Sequence, residues 1–327
     1  MVDSLGFHRE GPMPAAAFAT LGCKVNQYET QRILDSFEER GFAITEFNQP
    51  ADVYVINTCS VTVTAERKSR QMARRLARQN PNGLVVMTGC GAEMARIRGE
   101  GLEEAALVVP NPEKLRTVEH VLARFPELAQ RLAREPAERP PRPAGRTRAT
   151  LKVQDGCNVF CTFCSIPHTR GVMASRPADE VLEEARQIAA RGCLEIVVTG
   201  VLVGAYGPAT GSGGADLAEL LRRLAAVPGI ERVRLSSIEP TQVSDRLLAA
   251  FAEEPRLCRH LHVPLQSGNS AVLQAMNRPY DQRFYLDLCR RIQARLPGVA
   301  ITTDILVGFP GEDQAAFEQT VQVVREV

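Results

Sequence analysis

Three cysteines, Cys157, Cys161 and Cys164, stand within eight residues in the stretch QDGCNVFCTFCSIPHTRG, Gln154–Gly171. Their spacing is C-x3-C-x2-C. Thiolates are the usual ligands of iron–sulfur clusters, and three of them on a four-iron cluster leave one iron open to a small molecule. A structural zinc site closes its shell with four ligands, and His168 is the only nearby residue that could complete one. The bland alternative is a set of incidental thiols. The clustering weighs against it, because grouped cysteines in a reducing compartment point to metal binding.

A second constellation is dispersed. Cys23, Cys59 and Cys90 each end an apolar run: FATLGC, VINTCS and VMTGC. In a parallel sheet the C-terminal ends of strands share one edge, so these three thiols can converge and hold a second cluster. The alternative is three small buried residues at turns, since free cysteine is often buried. Cys193, Cys258 and Cys289 lie outside any motif, on helix-like or helix-end positions, and read as structural. The total of nine is odd. An odd count and the reducing cytosol both argue against a disulfide framework.

The elements that must position these residues can be read from hydrophobic patterning. Residues 16–110 alternate short apolar runs with helix-like segments such as NQYETQRILDSFEERG and TAERKSRQMARRLARQN. That alternation predicts a parallel α/β sheet. The second of these helices is rich in cations, Arg67, Lys68, Arg70, Arg74, Arg75 and Arg78, and is read either as a solvated face or as a binding face. Residues 126–149 are rich in Pro and Arg and predict a linker that begins with a short helix. From Thr150 the alternation resumes with strands TLKVQDG, LEIVVTG, RVRLSS, HLHVPLQ and AITTDILVG. Pro177 near the first helical position and Gly192 after the last turn bracket the helix between the first two of these. Five βα units in series predict part of a barrel, with the first cysteine triad on the loop after its first strand, at the edge where such folds keep their chemistry. The chain ends on a helix-like stretch, so an incomplete C-terminus is expected.

Composition bounds the rest. The chain has 327 residues, 44% hydrophobic and 24% charged, with a net charge of +1. It is too weakly charged overall to attract polyanions as a whole, so nucleic-acid binding must rest on local patches. No apolar run is long enough for a membrane span, and the charged N-terminus is unlike a signal peptide. A cytoplasmic protein with no membrane partner is expected.

The first triad has the spacing of the radical S-adenosylmethionine enzymes, and the residues around it resemble one branch of them, the methylthiotransferases. Phe163 fills the aromatic slot between the last two cysteines. IPHTRG, SRP, VVTGVLVGAYG, SSIEP, HLHVPLQSGN, MNRPY and TTDILVGFPGE follow in the order seen in that family, between Ile166 and Glu312. LGCKVNQYET, NTCSVT and TGC resemble its N-terminal domain. The resemblance implies an N-terminal parallel-sheet, Rossmann-like domain over residues 14–125, the linker at 126–149, and an incomplete radical (β/α) partial TIM barrel over 150–327. It also implies that the last barrel strand and a small C-terminal RNA-binding domain are absent.

By that resemblance the cofactors are two [4Fe–4S] clusters and S-adenosylmethionine. Cys157, Cys161 and Cys164 hold the cluster that binds S-adenosylmethionine and cleaves it to a 5′-deoxyadenosyl radical. Cys23, Cys59 and Cys90 hold an auxiliary cluster that carries the sulfur to be transferred. Thr199 and Gly200 lie near the methionine amino group, Gln266 and Ser267 near the ribose, and Val307 and Gly308 near the adenine. One departure is GCGAEM, with Gly91 and Glu93 where the family tends to have a larger residue and Gln. An external electron donor such as flavodoxin or ferredoxin is implied.

The family divides by substrate, and CKVNQYE with NTCSVTVTAERKSRQ resembles the group that acts on threonylcarbamoyladenosine in tRNA. The target is then C2 of adenosine 37, in the anticodon loop, where a base can be splayed out of its stack. Isopentenyladenosine in tRNA and an aspartate of a ribosomal protein are the other enzymatic readings, and a two-cluster electron carrier is the non-enzymatic one. Lys152, Arg170, Arg278 and the Arg-rich segment 131–148 are the candidate phosphate contacts.

Overall fold

The computed structural model describes residues 13–132 and 147–327. The chain divides into two compact units at residue 140.

The first unit is a five-stranded parallel sheet. Strand β1 (Ala15–Thr20) leads into helix α1 (Lys24–Glu39), which returns to β2 (Ala43–Thr45). Strand β3 (Val53–Thr58) leads into α2 (Val63–Gln79), and β4 (Leu84–Gly89) into α3 (Cys90–Ile97). A short β5 (Leu107–Val108) precedes α4 (Thr117–Arg124) and α5 (Pro126–Leu132). Strand order is β2-β1-β3-β4-β5. β3 is buried along its whole length and is rich in β-branched residues, as a central strand covered on both faces requires. Ile33, Phe37, Phe42, Val55, Val86 and Val118 fill one face of the sheet, and Tyr54, Ile56, Ala73, Leu76 and Met87 the other. The sequence pattern does not reveal the edge strand β2. At three residues, it is too short for periodicity to mark it.

The stretch expected to be linker from 126 onward begins with α5, and α5 belongs to the first unit's core. Leu128 is buried there, and Arg131 pairs with Asp52 at 2.6 Å. Residues 133–146, most of the expected linker and of the Arg-rich segment 131–148, lie outside the described residues.

In the second unit, β6 (Arg148–Lys152) is followed by the short antiparallel pair β7 (Gln154–Asp155) and β8 (Ala174–Ser175), with helix α6 (Ile166–Arg170) in the loop between them. Then come α7 (Ala178–Ala190), β9 (Glu195–Thr199), α8 (Leu217–Ala225), β10 (Arg232–Leu235) and α9 (Asp245–Glu253). The rest is β11 (His260–His262), α10 (Ser270–Ala275), α11 (Gln282–Arg295), β12 (Ala300–Thr302) and α12 (Gln314–Glu326). Strands β6, β9 and β10 form one parallel set, and β11 and β12 another. Backbone bonds such as Ile238 N–H to the His262 carbonyl, 2.9 Å, tie the two sets together. All five expected barrel strands are present. Each βα unit buries its inward residues in a single core that includes Leu151, Ile196, Val198, Leu235 and Leu261. Burying each such side chain contributes about 1.5–3 kcal/mol before entropy is counted.

Helix α7 ends as its sequence indicates. Gly192 takes φ +81°, and the N–H groups of Gly192 and Cys193 close on Ala189 and Ile188. Cys193 and Cys289 are buried. Cys258 is not at a helix end: its N–H bonds the Val233 carbonyl, in the approach to β11. Among the described residues, no helix is long and apolar enough to cross a membrane.

Candidate iron–sulfur centres

The three dispersed cysteines of the first unit meet at the C-terminal edge of its sheet. Cys23 is the N-cap of α1, Cys59 follows β3, and Cys90 is the first residue of α3. The space around two glycines shows how closely the three loops approach. A Cβ on Gly22 would lie 2.7 Å from the Cys59 sulfur, and a Cβ on Gly91 would lie 2.9 Å from the Cys59 carbonyl. Cys59 is therefore held between the chain neighbours of Cys23 and Cys90. Cys59 and Cys90 are 3% exposed, whereas Cys23 faces solvent. Cys23 and Cys90 sit at the start of helices, where the backbone dipole favours an anionic ligand set.

Beneath this edge lies a buried polar network. Asn26 donates to the carbonyls of Leu21 and Thr58, both at 2.9 Å, and so clamps the first two cysteine loops together. The Thr58 hydroxyl donates to the Thr88 carbonyl and accepts from Ala92 N–H, which ties the second loop to the third. Glu93, the departure noted in the sequence, accepts from Asn111 N–H and from Arg96. Burial by itself would raise its pKa, but these donors bring it below the ordinary carboxylate value. Lys114 and Glu29 form an almost fully buried ion pair at 2.6 Å.

The contiguous triad lies on the loop between β7 and β8. That hairpin closes the loop at its base, and Gly156 (φ +75°) passes so close to Val172 that a Cβ would lie 2.1 Å from its carbonyl oxygen. The MNRPY segment covers the loop. The Asn277 side chain donates to the carbonyls of Val159 and Phe160, both at 3.0 Å, and Thr162 N–H reaches the Met276 carbonyl. Arg278 donates to the Cys161 sulfur at 3.0 Å. Its other nitrogen is gripped by both Glu239 carboxylate oxygens at 2.7 and 2.8 Å, and its guanidinium lies over the Tyr280 ring. Val159 N–H points at the Cys157 sulfur at 3.5 Å.

The donor set fits the two clusters. None of the six thiols is tied up in a disulfide, and sulfur-directed N–H groups reach Cys59, Cys157 and Cys161. Among the described residues, no three His, Cys, Asp or Glu side chains converge as the ligands of a single ion would. Each thiolate of a four-iron cluster takes a different iron, so its ligands spread around a cube instead of meeting at a point. Burial raises the pKa of Cys157 and Cys164, which disfavours their thiolates until a metal is bound. Iron must displace the thiol protons on binding.

The remaining expected contacts lie at the end of β9, in the segments that follow β11 and β12, and, for Phe163, on the cysteine loop, with mixed exposure. Thr199 ends β9 and is buried. Gly200 packs on Gln154, whose side-chain oxygen accepts from Leu202 N–H and whose amide donates to the carbonyls of Asp155 and Gly156. Gln154 thus joins the cysteine loop to the end of β9, a role that nothing in its local sequence indicates. Gln266 adopts φ +66°, unusual for a non-glycine residue. The Ser267 hydroxyl is buried, accepting from Asn269 N–H and meeting Thr320. Phe163, Val307 and Gly308 are exposed.

The three single residues named as phosphate contacts require correction. Lys152 is buried against Asp155, Arg170 is 1% exposed and also pairs with Asp155, and Arg278 is held by Glu239. Phosphate contacts need cations that face solvent. These three instead brace the cysteine loop and its cover.

Comparisons with known proteins agree with this geometry. Residues 151–324 match the Radical SAM superfamily, and residues 15–109 match Uncharacterized protein family UPF0004. The chain is 40% identical over 324 residues to the threonylcarbamoyladenosine tRNA methylthiotransferase MtaB of Bacillus subtilis, covering 96% of this chain and 71% of that protein. It is 37% identical to the MtaB of Thermotoga maritima, covering 96% and 73%. It is 36% identical to the tRNA-2-methylthio-N(6)-dimethylallyladenosine synthase of Syntrophomonas wolfei, covering 94% and 71%. The radical S-adenosylmethionine methyltransferase TsrM of Kitasatospora setae superposes with a TM-score of 0.62 at 16% identity, over 95% of this chain and 73% of that one, a likeness of fold. The cofactors are S-adenosylmethionine and two [4Fe–4S] clusters. The two modules and the relatives along nearly the whole length lead to one conclusion: the chain belongs to the radical S-adenosylmethionine methylthiotransferase family.

Proposed function

We propose that this enzyme methylthiolates C2 of N6-threonylcarbamoyladenosine at position 37 of tRNA. The observation that carries this reading is the ranking of its relatives. Those of 36 to 40% identity from Bacillus subtilis, Chlamydia pneumoniae, Thermotoga maritima and Aquifex aeolicus all bear the threonylcarbamoyladenosine name. The dimethylallyladenosine synthases stand at 35 to 36%, and so mark the second reading.

The target explains the cofactors. C2–H of adenine is neither acidic nor electrophilic enough for acid–base replacement. When bound, the clusters and S-adenosylmethionine supply one-electron chemistry and the sulfur. The chain's own part is to hold and orient. Cys157, Cys161 and Cys164 hold one cluster on the loop braced by Asn277, Arg278 and Gln154. Cys23, Cys59 and Cys90 hold the other at the edge clamped by Asn26 and Thr58. Thr199 and Gly200 at the end of β9, and Gln266, Val307 and Gly308 in the segments after β11 and β12, are suited to S-adenosylmethionine, with Phe163 on the ligand loop. Ser267 serves that site through its backbone, since its hydroxyl is turned inward. Residues 14–125 together with α5 form the sulfur-donating domain and those from β6 onward the radical domain, joined by the rest of the Pro/Arg-rich segment.

An external one-electron donor of the flavodoxin or ferredoxin kind completes the reaction, and the enzyme works in the cytoplasm, where tRNA and reduced thiols are found. Nucleoside analysis of tRNA from a strain lacking the gene is the test. Loss of 2-methylthio-N6-threonylcarbamoyladenosine alone supports the reading. Loss of the isopentenyl-type methylthio nucleoside instead would move the assignment to the second.

A further inference from the structure

Helix α2 begins four residues after Cys59 and carries six cations against one acid between residues 63 and 79. Its capping is regular, with the Thr62 hydroxyl accepting from Ala65 N–H. It packs on the sheet through Ser69, Ala73 and Leu76. That leaves the cations on the opposite side. Some are matched: Arg70 pairs with Glu100 at 2.5 Å and Arg74 approaches Glu104 at 3.8 Å. The helix's single acid, Glu66, is engaged by Arg98 at 3.4 Å. Arg67, Lys68, Arg75 and Arg78 are exposed, and none has an acidic partner among the described residues.

These four define a stripe. At 100° per residue they fall within about a third of the helix circumference, and a separation of roughly eleven residues at about 1.5 Å rise gives it a length of about 16 Å. Four unmatched cations on one rigid face of a chain with a net charge of only +1 are a local concentration, not a general surface property. A solvated helix face normally intersperses acids at i+3 or i+4 to offset such repulsion. This face does not.

We propose that the Arg67, Lys68, Arg75 and Arg78 face of α2 is a docking surface for the RNA backbone, contacting phosphates of the substrate. The proposal rests on the reading of tRNA as substrate and adds where on this chain the RNA is held. Charge complementarity selects the occupant: arginine forks and lysine ammonium groups suit phosphate oxygens. The place in the chain suits it as well, since the same loop-to-helix segment starts at Cys59. Contacts of this kind position the RNA and carry no base information. Base choice is therefore left to other residues.

The test is tRNA binding to the full chain, reconstituted with iron and sulfide, measured by fluorescence anisotropy over a series of salt concentrations. The variant carries R67Q, K68Q, R75Q and R78Q, and glutamine keeps helix propensity. Affinity at low salt should fall by about tenfold or more, and the slope of log affinity against log salt should become shallower by roughly 3, at about 0.7–0.9 for each phosphate that is no longer neutralised. Reductant-driven cleavage of S-adenosylmethionine without RNA should be unchanged, because none of the four is placed at either cysteine triad. Should the quadruple variant not fold, single R75Q and R78Q variants should each make the slope shallower by close to one. Wild-type binding with an unaltered slope in the variants would overturn this surface and leave the substrate reading intact. No binding of tRNA by the wild-type chain would overturn both.

Discussion

The Arg278 guanidinium donates to the Cys161 sulfur at 3.0 Å while Glu239 holds its other nitrogen with both carboxylate oxygens. Both side chains are buried. A positive donor to a cluster thiolate favours the reduced, more negative state, because hydrogen bonds to sulfur raise a cluster's potential. R278K keeps the charge but loses the fork that spans sulfur and carboxylate. We expect that variant to have a lower first-cluster potential in electrochemical titration, and a roughly 10- to 100-fold loss in iron retention or activity, the usual range for outer partners of a metal site. R278A should do worse, since it strands a buried carboxylate at a cost of about 3–5 kcal/mol. Adding E239Q should restore much of the thermal stability but not the potential.

Gly22 is constrained twice, by φ +105° and by the Cys59 sulfur 2.7 Å from where a Cβ would be. G22A should therefore displace Cys59 and cost about 1–3 kcal/mol in the first unit. Iron analysis after reconstitution should show half the wild-type content. The absorption and EPR of the first-triad cluster should remain. Full iron content in this variant would contradict the convergence of the three loops on Cys59.

The two cysteine triads should separate two activities. Replacing Cys157, Cys161 and Cys164 by alanine should abolish S-adenosylmethionine cleavage. Replacing Cys23, Cys59 and Cys90 should leave reductive cleavage measurable by 5′-deoxyadenosine release, while abolishing methylthio transfer to tRNA. Transfer surviving the second replacement would remove the auxiliary cluster from the reaction.

Glu195 opens β9 and is buried beneath Arg148, Arg232 and Arg234. Burial would raise its pKa, but the hydrogen bonds from Arg232 and Arg234 and the charge of Arg148 bring it below the ordinary carboxylate value of 4.5. A depressed folded-state pKa contributes stability that is present above the unfolded value and is lost as pH falls through the folded one. The second unit should therefore lose stability below about pH 4.5. In E195Q that acid-side loss should flatten, while stability at neutral pH drops because three guanidinium groups lose their partner. Thermal melts from about pH 3 to about pH 7 on both proteins check this.

The sequence by itself determined the main strands and helices and the strand ends and loop on which the six cysteines stand, though not the three-residue β2. Motif spacing along a covalent chain is local information, so C-x3-C-x2-C placed one triad on one loop, and β-branched runs between helix patterns placed the other on three strand ends. The tertiary structure alone decided which polar residues serve those sites. Arg278 and Arg170 look like surface cations in the sequence, yet one reaches Cys161 and the other Asp155, because burial and partnering depend on segments 117 and 15 residues away, respectively. Asn26, Gln154 and Glu239 are likewise ordinary polar letters until packing removes water from around them. A buried polar group must then find its bond, and that requirement joins the cysteine loops to the strands and helices that carry them.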